Sequence, residues 1–473
     1  MAKIKGSFSW VLMVGGLLCS AAMAQQPPDV VTSDLNGNTA MGTGALFSNT
    51  TGVTNTASGF QALWLNTTGS YNAAFGYQAL FSNTAGGANT ASGWEALYSN
   101  TSGSDNTAFG LQALYSNTTG FGNTASGAEA LFSNTTGNDN TASGVSALSS
   151  NTTGSNNTAS GFAALATNTT GSDNVAMGLN ALAFNTTGSE NTATGLSALY
   201  NNTIGNVNSA FGNYALEHNT TGSENTALGV GALNGNTTGG ENTASGLNAL
   251  IANTTGNINT AFGYAALANN ATGNNNTALG YAAGYNVISG SNNIDIGNLG
   301  VADDSGTIRI GTRSQQVRTF IAGIWGHSVS RGAGVVINSS GQLGVEESSE
   351  RYKTDITRAE VSSEKLQQLR PVTYRFKTDP TGDKHYGLIA EEVDMVYPEL
   401  VIRDDAGNIE GVRYEELAPI LLGEIQQQKR LVDSQTAEIQ QLKEEFEQLR
   451  EVNQSLQVIL RKLETERLQV AAH

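Results

Sequence analysis

The chain has 473 residues and a formal net charge of −17, and only 13% of its residues are charged, about half the usual share. A length of about three domains implies several modules, and the acidic balance argues against nucleic acid as a partner. No Lys or Arg stands between Lys5 and Arg309, so that stretch cannot hold phosphate or anionic lipid through charge.

Residues 1–24 read as a signal peptide. Lys3 and Lys5 give the positive end, Trp10–Leu18 the apolar middle, and Ala22-Met23-Ala24 a cleavage site. This predicts export, with the mature chain secreted or at a bacterial cell surface. An N-terminal anchor and a lipoprotein at Cys19 are the other readings, the latter with Leu18 where a small residue is wanted. Cleavage at Ala24 removes Cys19, the sole cysteine, leaving no disulfide or thiolate metal site. No second stretch is apolar enough to span a membrane. Residues 25–41 read as a linker.

Residues 42–297 repeat every 17 residues. Gly42, Gly59, Gly76 and Gly93 begin a series that keeps step to Gly280 and Gly297 without insertion. The consensus is N-T-A-x-G-x-x-A-L-x-x-N-T-T-G-x-x. A strict period means one structural unit per repeat, too short for two helices and rich in poor helix formers. N-T-A-x-G predicts a short strand with its small residues inward. N-T-T-G predicts a turn, because Asn and Gly tolerate positive φ. The Ala-Leu pair, as at Ala62-Leu63, offers a second inward face. One rung of a parallel β-roll follows, and about 15 rungs at roughly 4.8 Å make a rod on the order of 70 Å long.

Each rung buries little by itself. The large residues after Leu (Trp64, Phe81, Tyr98, Tyr115, Phe132) fall on one stripe, which burial between three chains would complete; a ligand-binding aromatic stripe is the rival reading. The N-x-A-x-G rungs resemble the left-handed parallel β-roll heads of trimeric autotransporter adhesins, which usually run on shorter repeats. The likeness covers about half the chain and does not extend to that family's membrane-anchor barrel. The Asp-rich turns of calcium β-rolls are missing.

Residues 298–347 leave the period. Strand-like segments at Thr307–Gly311, Val317–Ile324 and Gly334–Ile337, the last followed by a turn and a second strand to Gly344, predict an intertwined β-stem.

Charge returns after Glu346, and four blocks follow in order. They are Ser348–Ile356, Leu369-Arg370-Pro371-Val372-Thr373-Tyr374-Arg375-Phe376, Tyr386–Val393, and Val412-Arg413-Tyr414. Together they are similar to the endosialidase-type intramolecular chaperone domain of phage tailspikes and related fibres, over about 348–420. The resemblance implies a small α+β domain at 348–419. It would trimerise, help the upstream fibre fold, and cleave the chain before a Ser that works with a Lys five residues on. That pair maps to Ser348 and Lys353, with Glu347–Ser348 as the cut bond. The family often has Asp after the nucleophile, where this chain has Ser349. On a helix Ser349 and Lys353 at i, i+4 would be the closer pair; motif register favours Ser348.

The chemistry is self-consistent. A hydroxyl needs a base, and Lys serves as one if burial or nearby cations favour its neutral form. Arg351 could be such a cation or could bind the oxyanion. The bland alternative has Ser348 capping a helix and Lys353 paired with Asp355 or Glu350. His385 is a weaker candidate, more often structural when alone, and Glu391-Glu392 reads as helix-capping. No phosphate loop, zinc spacing or Ser-His-Asp order occurs, so no cofactor or metal is implied.

Residues 420–468 carry heptads. Ile425, Val432, Ile439, Phe446, Asn453 and Leu460 share one seam position, and Leu442, Leu449, Leu456 and Leu463 the other. This predicts a coiled coil, trimeric by analogy with the preceding modules, with Asn453 fixing register. The fold class is thus mainly β with an α-helical C-terminus. The partner is the chain itself, as a homotrimer, with a cell-surface or glycan ligand left open. The functional reading is an exported structural or adhesive fibre with a self-cleaving assembly domain. A permanent, uncleaved trimer clamp and a phage-type fibre acting on a glycan are the alternatives; the latter needs a carboxylate pair.

Overall fold

A computed structural model describes residues 32–470 apart from 314, 323, 325–333, 339, 360 and 405. The expected signal peptide, with Cys19, lies outside the described residues. The chain divides into two compact units, one up to Ala322 and one after it.

The first unit is a β-solenoid. Sixteen three-residue strands, from Thr39–Met41 to Ile294–Ile296, recur every 17 residues, and Ile308–Ile310 adds one more. All pair in parallel with the preceding rung in strict register, as in Thr56↔Ala73, Ala57↔Ala74 and Ser58↔Phe75. At the N-terminal end Thr32–Ser33 runs antiparallel to Thr39–Met41. The Asp34 carboxylate holds the intervening turn through Asn36 N–H, Asn38 N–H and Asn38 Nδ2. This hairpin covers an edge that would otherwise offer unpaired backbone groups.

The rung around Gly76 shows why this sequence folds this way. Ala74, Ala79 and Leu80 are fully buried. Extended backbone would send Ala79 and Leu80 to opposite faces. Positive φ at Gln78 (55°) and Leu80 (54°) curls the chain so that both point inward. A left-handed Leu costs about 1–2 kcal/mol, and its burial returns about 2 kcal/mol. The trade repeats in nearly every rung, because a Leu at this position has positive φ from Leu46 to Leu267.

Two buried Asn ladders fix the register. In one, Asn72 Nδ2 donates to Asn55 Oδ1 (3.1 Å) and Gly86 O (2.9 Å), and Asn72 N–H donates to Asn55 Oδ1 (3.0 Å). In the other, Asn83 Nδ2 donates to Asn66 Oδ1 (2.7 Å) and Gly86 O (2.9 Å). Buried amides are tolerated because their partners recur in every rung.

The turn chemistry differs from the sequence expectation. Neither Asn66 nor Gly69 of the N-T-T-G segment has positive φ; Gly59, Gln61, Leu63 and Tyr71 do. Asn66 is a ladder residue. Gly69 is required for room, since a Cβ there would lie 2.4 Å from Gly86 O and 2.4 Å from Asn66 Oδ1. Gly59 and its successors need both features. Gly76 has φ 135°, and its Cβ would meet Gly93 O at 2.3 Å.

The stripe after Leu forms as expected. Phe81, Tyr98, Tyr115 and Phe132 stack face to face with centroids 5.1–5.2 Å apart. Each ring is half-buried by its neighbours.

At the C-terminal end the pattern changes. Gly284 stands where Leu is expected, and Asp295 takes the strand-centre position, opposite Ala278 and Arg309. Asp295 is 1% exposed, and its Oδ2 has no hydrogen-bond partner. Burial, and then repulsion from Asp304, push its carboxyl up to about 6, with Arg309 acting against them. Asp304 itself is held below the usual carboxylate range by Arg309, which grips it through Nε (2.6 Å) and Nη2 (2.8 Å).

Of the connector strands, Ile308–Ile310 joins the solenoid, and Val336–Ile337 pairs antiparallel with Leu343–Gly344. The expected strand over 317–324 does not form among the described residues. Val317 and Phe320 are more than 80% exposed, with no neighbouring strand to pair with.

The second unit holds a small domain and a long helix. Its elements are α1 (Ser363–Gln368), a hairpin of Val372–Tyr374 with His385–Gly387, α2 (Ala390–Val396), a hairpin of Val401–Arg403 with Ile409–Val412, and α3 (Tyr414–Val470). Val393, Tyr397, Leu400 and Val401 form the core, with Leu366, Leu369, Leu388, Leu417 and Ile420 packed on it. The first turns of α3 therefore belong to this domain. Among the described residues no helix is long and apolar enough to cross a membrane.

Candidate functional site

Ser348 and Lys353 lie on either side of a single 3₁₀ turn, Glu350–Tyr352. The turn is closed by Tyr352 N–H to Ser349 O and Lys353 N–H to Glu350 O, both 3.0 Å. This fold-back brings Lys353 Nζ to 3.4 Å from Ser348 Oγ. That is a long hydrogen bond, within the reach of a nucleophile and a base that tighten later.

Ser349 occupies the N-cap position of the turn and makes no side-chain cap bond. The α-helical i, i+4 pairing of Ser349 with Lys353 has no helix to support it, because the turn is 3₁₀ and ends at Tyr352. The bland alternative also differs from the structure. Ser348 caps nothing, and among the described residues no ion pair joins Lys353 to Glu350 or Asp355. Arg351 lies over the Tyr352 ring at 4.5 Å, a cation–π contact. Asp355, two residues on, has φ 54°, a left-handed conformation that turns the chain after the dyad.

Every described residue from 340 to 359 is exposed. An amine becomes an effective base when it is desolvated or set near other cations. The geometry thus brings the two groups together in an open setting. No candidate metal cluster occurs among the described residues.

The remaining blocks form one framework. The Leu369–Phe376 and Tyr386–Val393 blocks meet in a hairpin with Thr373↔Tyr386 register. The Val412-Arg413-Tyr414 block is tied to it when Leu388 N–H donates to Tyr414 Oη at 2.8 Å. Gly387 is glycine for the same reason: a Cβ there would lie 2.7 Å from Tyr414 Oη. His385 sits in a ring cluster with Tyr374 (5.8 Å) and Phe376 (5.2 Å). Glu391 and Glu392 open α2. Glu392 pairs with Arg370 at 2.5 Å, which holds its carboxyl below the usual range, so the two acids do not form an acid–base pair.

One structural contact escapes sequence reasoning. Glu424 of α3 is buried, and Ser363 Oγ donates to its carboxylate at 2.6–2.8 Å. It fastens the long helix to α1. Gly423 allows the approach, since a Cβ would lie 2.5 Å from Val361 Cγ2. The sequence signal is a Gly-Glu pair inside α3, four residues after Pro419.

Beyond the domain, α3 leaves the heptad seam in water: Ile425, Val432, Ile439, Phe446 and Leu460 are all more than half exposed. No curated protein and no solved structure matches the chain. Among known families, residues 348–402 match the one described as chaperone of endosialidase. That span begins at Ser348 itself and contains Lys353, α1, the first hairpin and α2. Residues 348–402 are therefore a chaperone-of-endosialidase domain, carried behind a β-solenoid of about sixteen 17-residue turns.

Proposed function

We propose that this chain builds an exported, tail-fibre-like homotrimer, with residues 348–419 driving assembly and then cutting the Glu347–Ser348 bond. The observation that carries the reading is the 3.4 Å approach of Lys353 Nζ to Ser348 Oγ at the first residue of the chaperone domain. Ser348 Oγ attacks the Glu347 carbonyl carbon as Lys353 takes its proton. The peptide C–N bond breaks, the Ser348 amine leaves protonated, and water hydrolyses the resulting ester. The step runs once, on the chain's own bond.

Assembly precedes cleavage in this account. The α3 seams form a trimeric coiled coil from about residue 420. They raise the local concentration of the solenoids and align a β-structure rich in non-local contacts. Packing of neighbouring chains over residues 340–359 withdraws Lys353 from water and favours its neutral form. Removal of the template then leaves the fibre kinetically trapped.

Intact mass on the full-length wild type beside Ser348→Ala, Ser349→Ala and Lys353→Ala tests the proposal. The expected result is two wild-type fragments, the smaller beginning at Ser348, and one uncut chain for Ser348→Ala and Lys353→Ala. A single uncut wild-type chain that sediments as a trimer would leave the domain as a permanent clamp.

A further inference from the structure

The solenoid carries a second apolar feature, distinct from the ring ladder after Leu. It flanks the invariant Gly on both sides. The residue before Gly is the outward end of each strand. Where it is large, as in Phe75, Phe109 and Leu228, it is 44–53% exposed. The residue after Gly is larger still and more regular. Trp94, Phe162 and Tyr264 are examples, at 46–56% exposure. Nine exposed large apolar side chains stand in the first column and eleven in the second.

The Gly column between them is nearly flush. Its φ values near 135° and the absence of room for a Cβ leave no side chain to separate the two columns. Together they form one uncharged strip along the solenoid, with Ser or Thr in part of the first column and a large apolar side chain in every rung but that of Ser126 and Ala128.

The strip exceeds what a monomer normally exposes. Ten of the twenty are aromatic and carry about 150–250 Å² each, so at near half exposure these alone present roughly 1,000 Å². A monomer's largest patch is about 300–600 Å², and a stable interface needs about 800 Å² per partner.

The charge pattern selects the occupant. Neither column holds a charged residue in any rung. The solenoid is otherwise acidic and has no Lys or Arg before Arg309. Six of the ten acids in residues 42–297 lie in the column four residues before the strand's outward end (Asp105, Asp139, Asp173, Glu190, Glu224, Glu241), where the backbone is left-handed, and only Glu95 and Glu129 directly follow the second column. Two such solenoids repel wherever those acids meet, and can approach on the uncharged strip. A second copy also carries the same 17-residue rise, so its columns match rung for rung.

We infer that the strip flanking the Gly column, and not the half-buried ring ladder, is the face on which other copies of this chain pack. The inference rests on the trimer reading above and names the surface that reading needs.

Single cysteines in full-length Cys19→Ser protein test it, since no other thiol is then present. Ser143→Cys lies in the strip, Ser149→Cys in the ring-ladder column, and Asn156→Cys in the acid column. All three belong to successive parts of one region, and Ser143 and Asn156 are exposed. Each is treated with a short bismaleimide and run under denaturing conditions, with the untreated mass taken by light scattering. The expected result is an assembled protein in which Ser143→Cys gives at least about ten-fold more covalent dimer than the other two. A monomeric mass for all three overturns the assembly reading. An assembled mass with equal or stronger cross-linking at Ser149→Cys or Asn156→Cys overturns the assignment of the face while leaving assembly standing.

Discussion

The Asn ladders make a prediction whose size follows from counting bonds. Asn140 is fully buried in mid-solenoid. Its Nδ2 donates to Asn123 Oδ1 (3.1 Å) and Gly154 O (2.9 Å). Its Oδ1 accepts from Asn157 N–H (3.0 Å) and Asn157 Nδ2 (3.1 Å). Asn140→Ala removes all four. Gly154 O keeps Asn151 Nδ2, and Asn123 Oδ1 keeps the Asn140 N–H, but the Asn157 N–H is orphaned. At about 1 kcal/mol per bond the loss is about 4 kcal/mol. Asn140→Asp keeps the shape and both acceptances. It also turns a carboxylate oxygen toward Gly154 O and Asn123 Oδ1, where a donor stood, and buries a charge. At pH 7 Asn140→Asp should therefore be the worse of the two, and it should recover toward Asn140→Ala as acid restores a donor proton. Because a solenoid opens locally, the assay is hydrogen exchange at Thr141 and Thr158 N–H, whose acceptors lie in the adjoining rungs. About 4 kcal/mol corresponds to a loss of protection of nearly 10³. Protection within ten-fold of wild type, or an Asn140→Asp protein better protected than Asn140→Ala at pH 7, would refute the ladder as the source of register.

Two further substitutions probe other columns. Gly76→Ala places a Cβ against Gly93 O in a backbone region that only glycine populates, so a loss of at least about 3 kcal/mol is expected in denaturant unfolding; a midpoint equal to wild type would contradict it. Asp295 binds its proton more tightly folded (about 6) than the ordinary 3.8. Its contribution is therefore fully present below about pH 4 and is lost as pH rises through about 6, a change of about 3 kcal/mol. Asp295→Ala, which restores the residue found in the facing rung, should protect the last rungs from proteolysis at pH 7.5 and abolish that pH dependence; retention of the dependence would show that it arises elsewhere.

Much of the solenoid was legible in its period. Seventeen residues without insertion fixed the spacing of the strands, and Ala74, Ala79 and Leu80 are inward as their small or apolar character requires. The period did not reveal conformation. Asn66 and Gly69 look like turn formers by composition, yet the left-handed residues are Gln61, Leu63 and Tyr71, which no turn preference selects. At Gln61 and Leu63 the φ serves to bury Ala62 and Leu63 in succession, while Tyr71 stands just before the buried ladder residue Asn72. The strip flanking Gly was hidden for a related reason. Its first column alternates Ser with Phe, so it reads as noise until the structure shows that Ser58, Phe75, Ser92 and Phe109 lie one above the next. In the C-terminal domain the blocks and the Ser348–Lys353 spacing were visible, but the Ser363–Glu424 contact spans 61 residues and no local pattern announces it.

Three stretches far apart in sequence share one property. The columns flanking Gly, the connector residues Val335, Val336, Ile337 and Leu343, and the α3 seam all leave apolar side chains in water. Each stretch has its own backbone hydrogen bonds satisfied by a different means: rung to rung, hairpin, and helix. Backbone pairing within one chain therefore completes the secondary structure everywhere while leaving the apolar surface uncovered in all three. Apolar surface of this extent costs about 25 cal/mol per Å² when left in water. A chain in which the local structure is closed and the apolar faces are open has divided the work: the Asn ladders and Gly column specify the rung, and the proposed association of chains would supply the burial that a rung of one Leu and two Ala cannot.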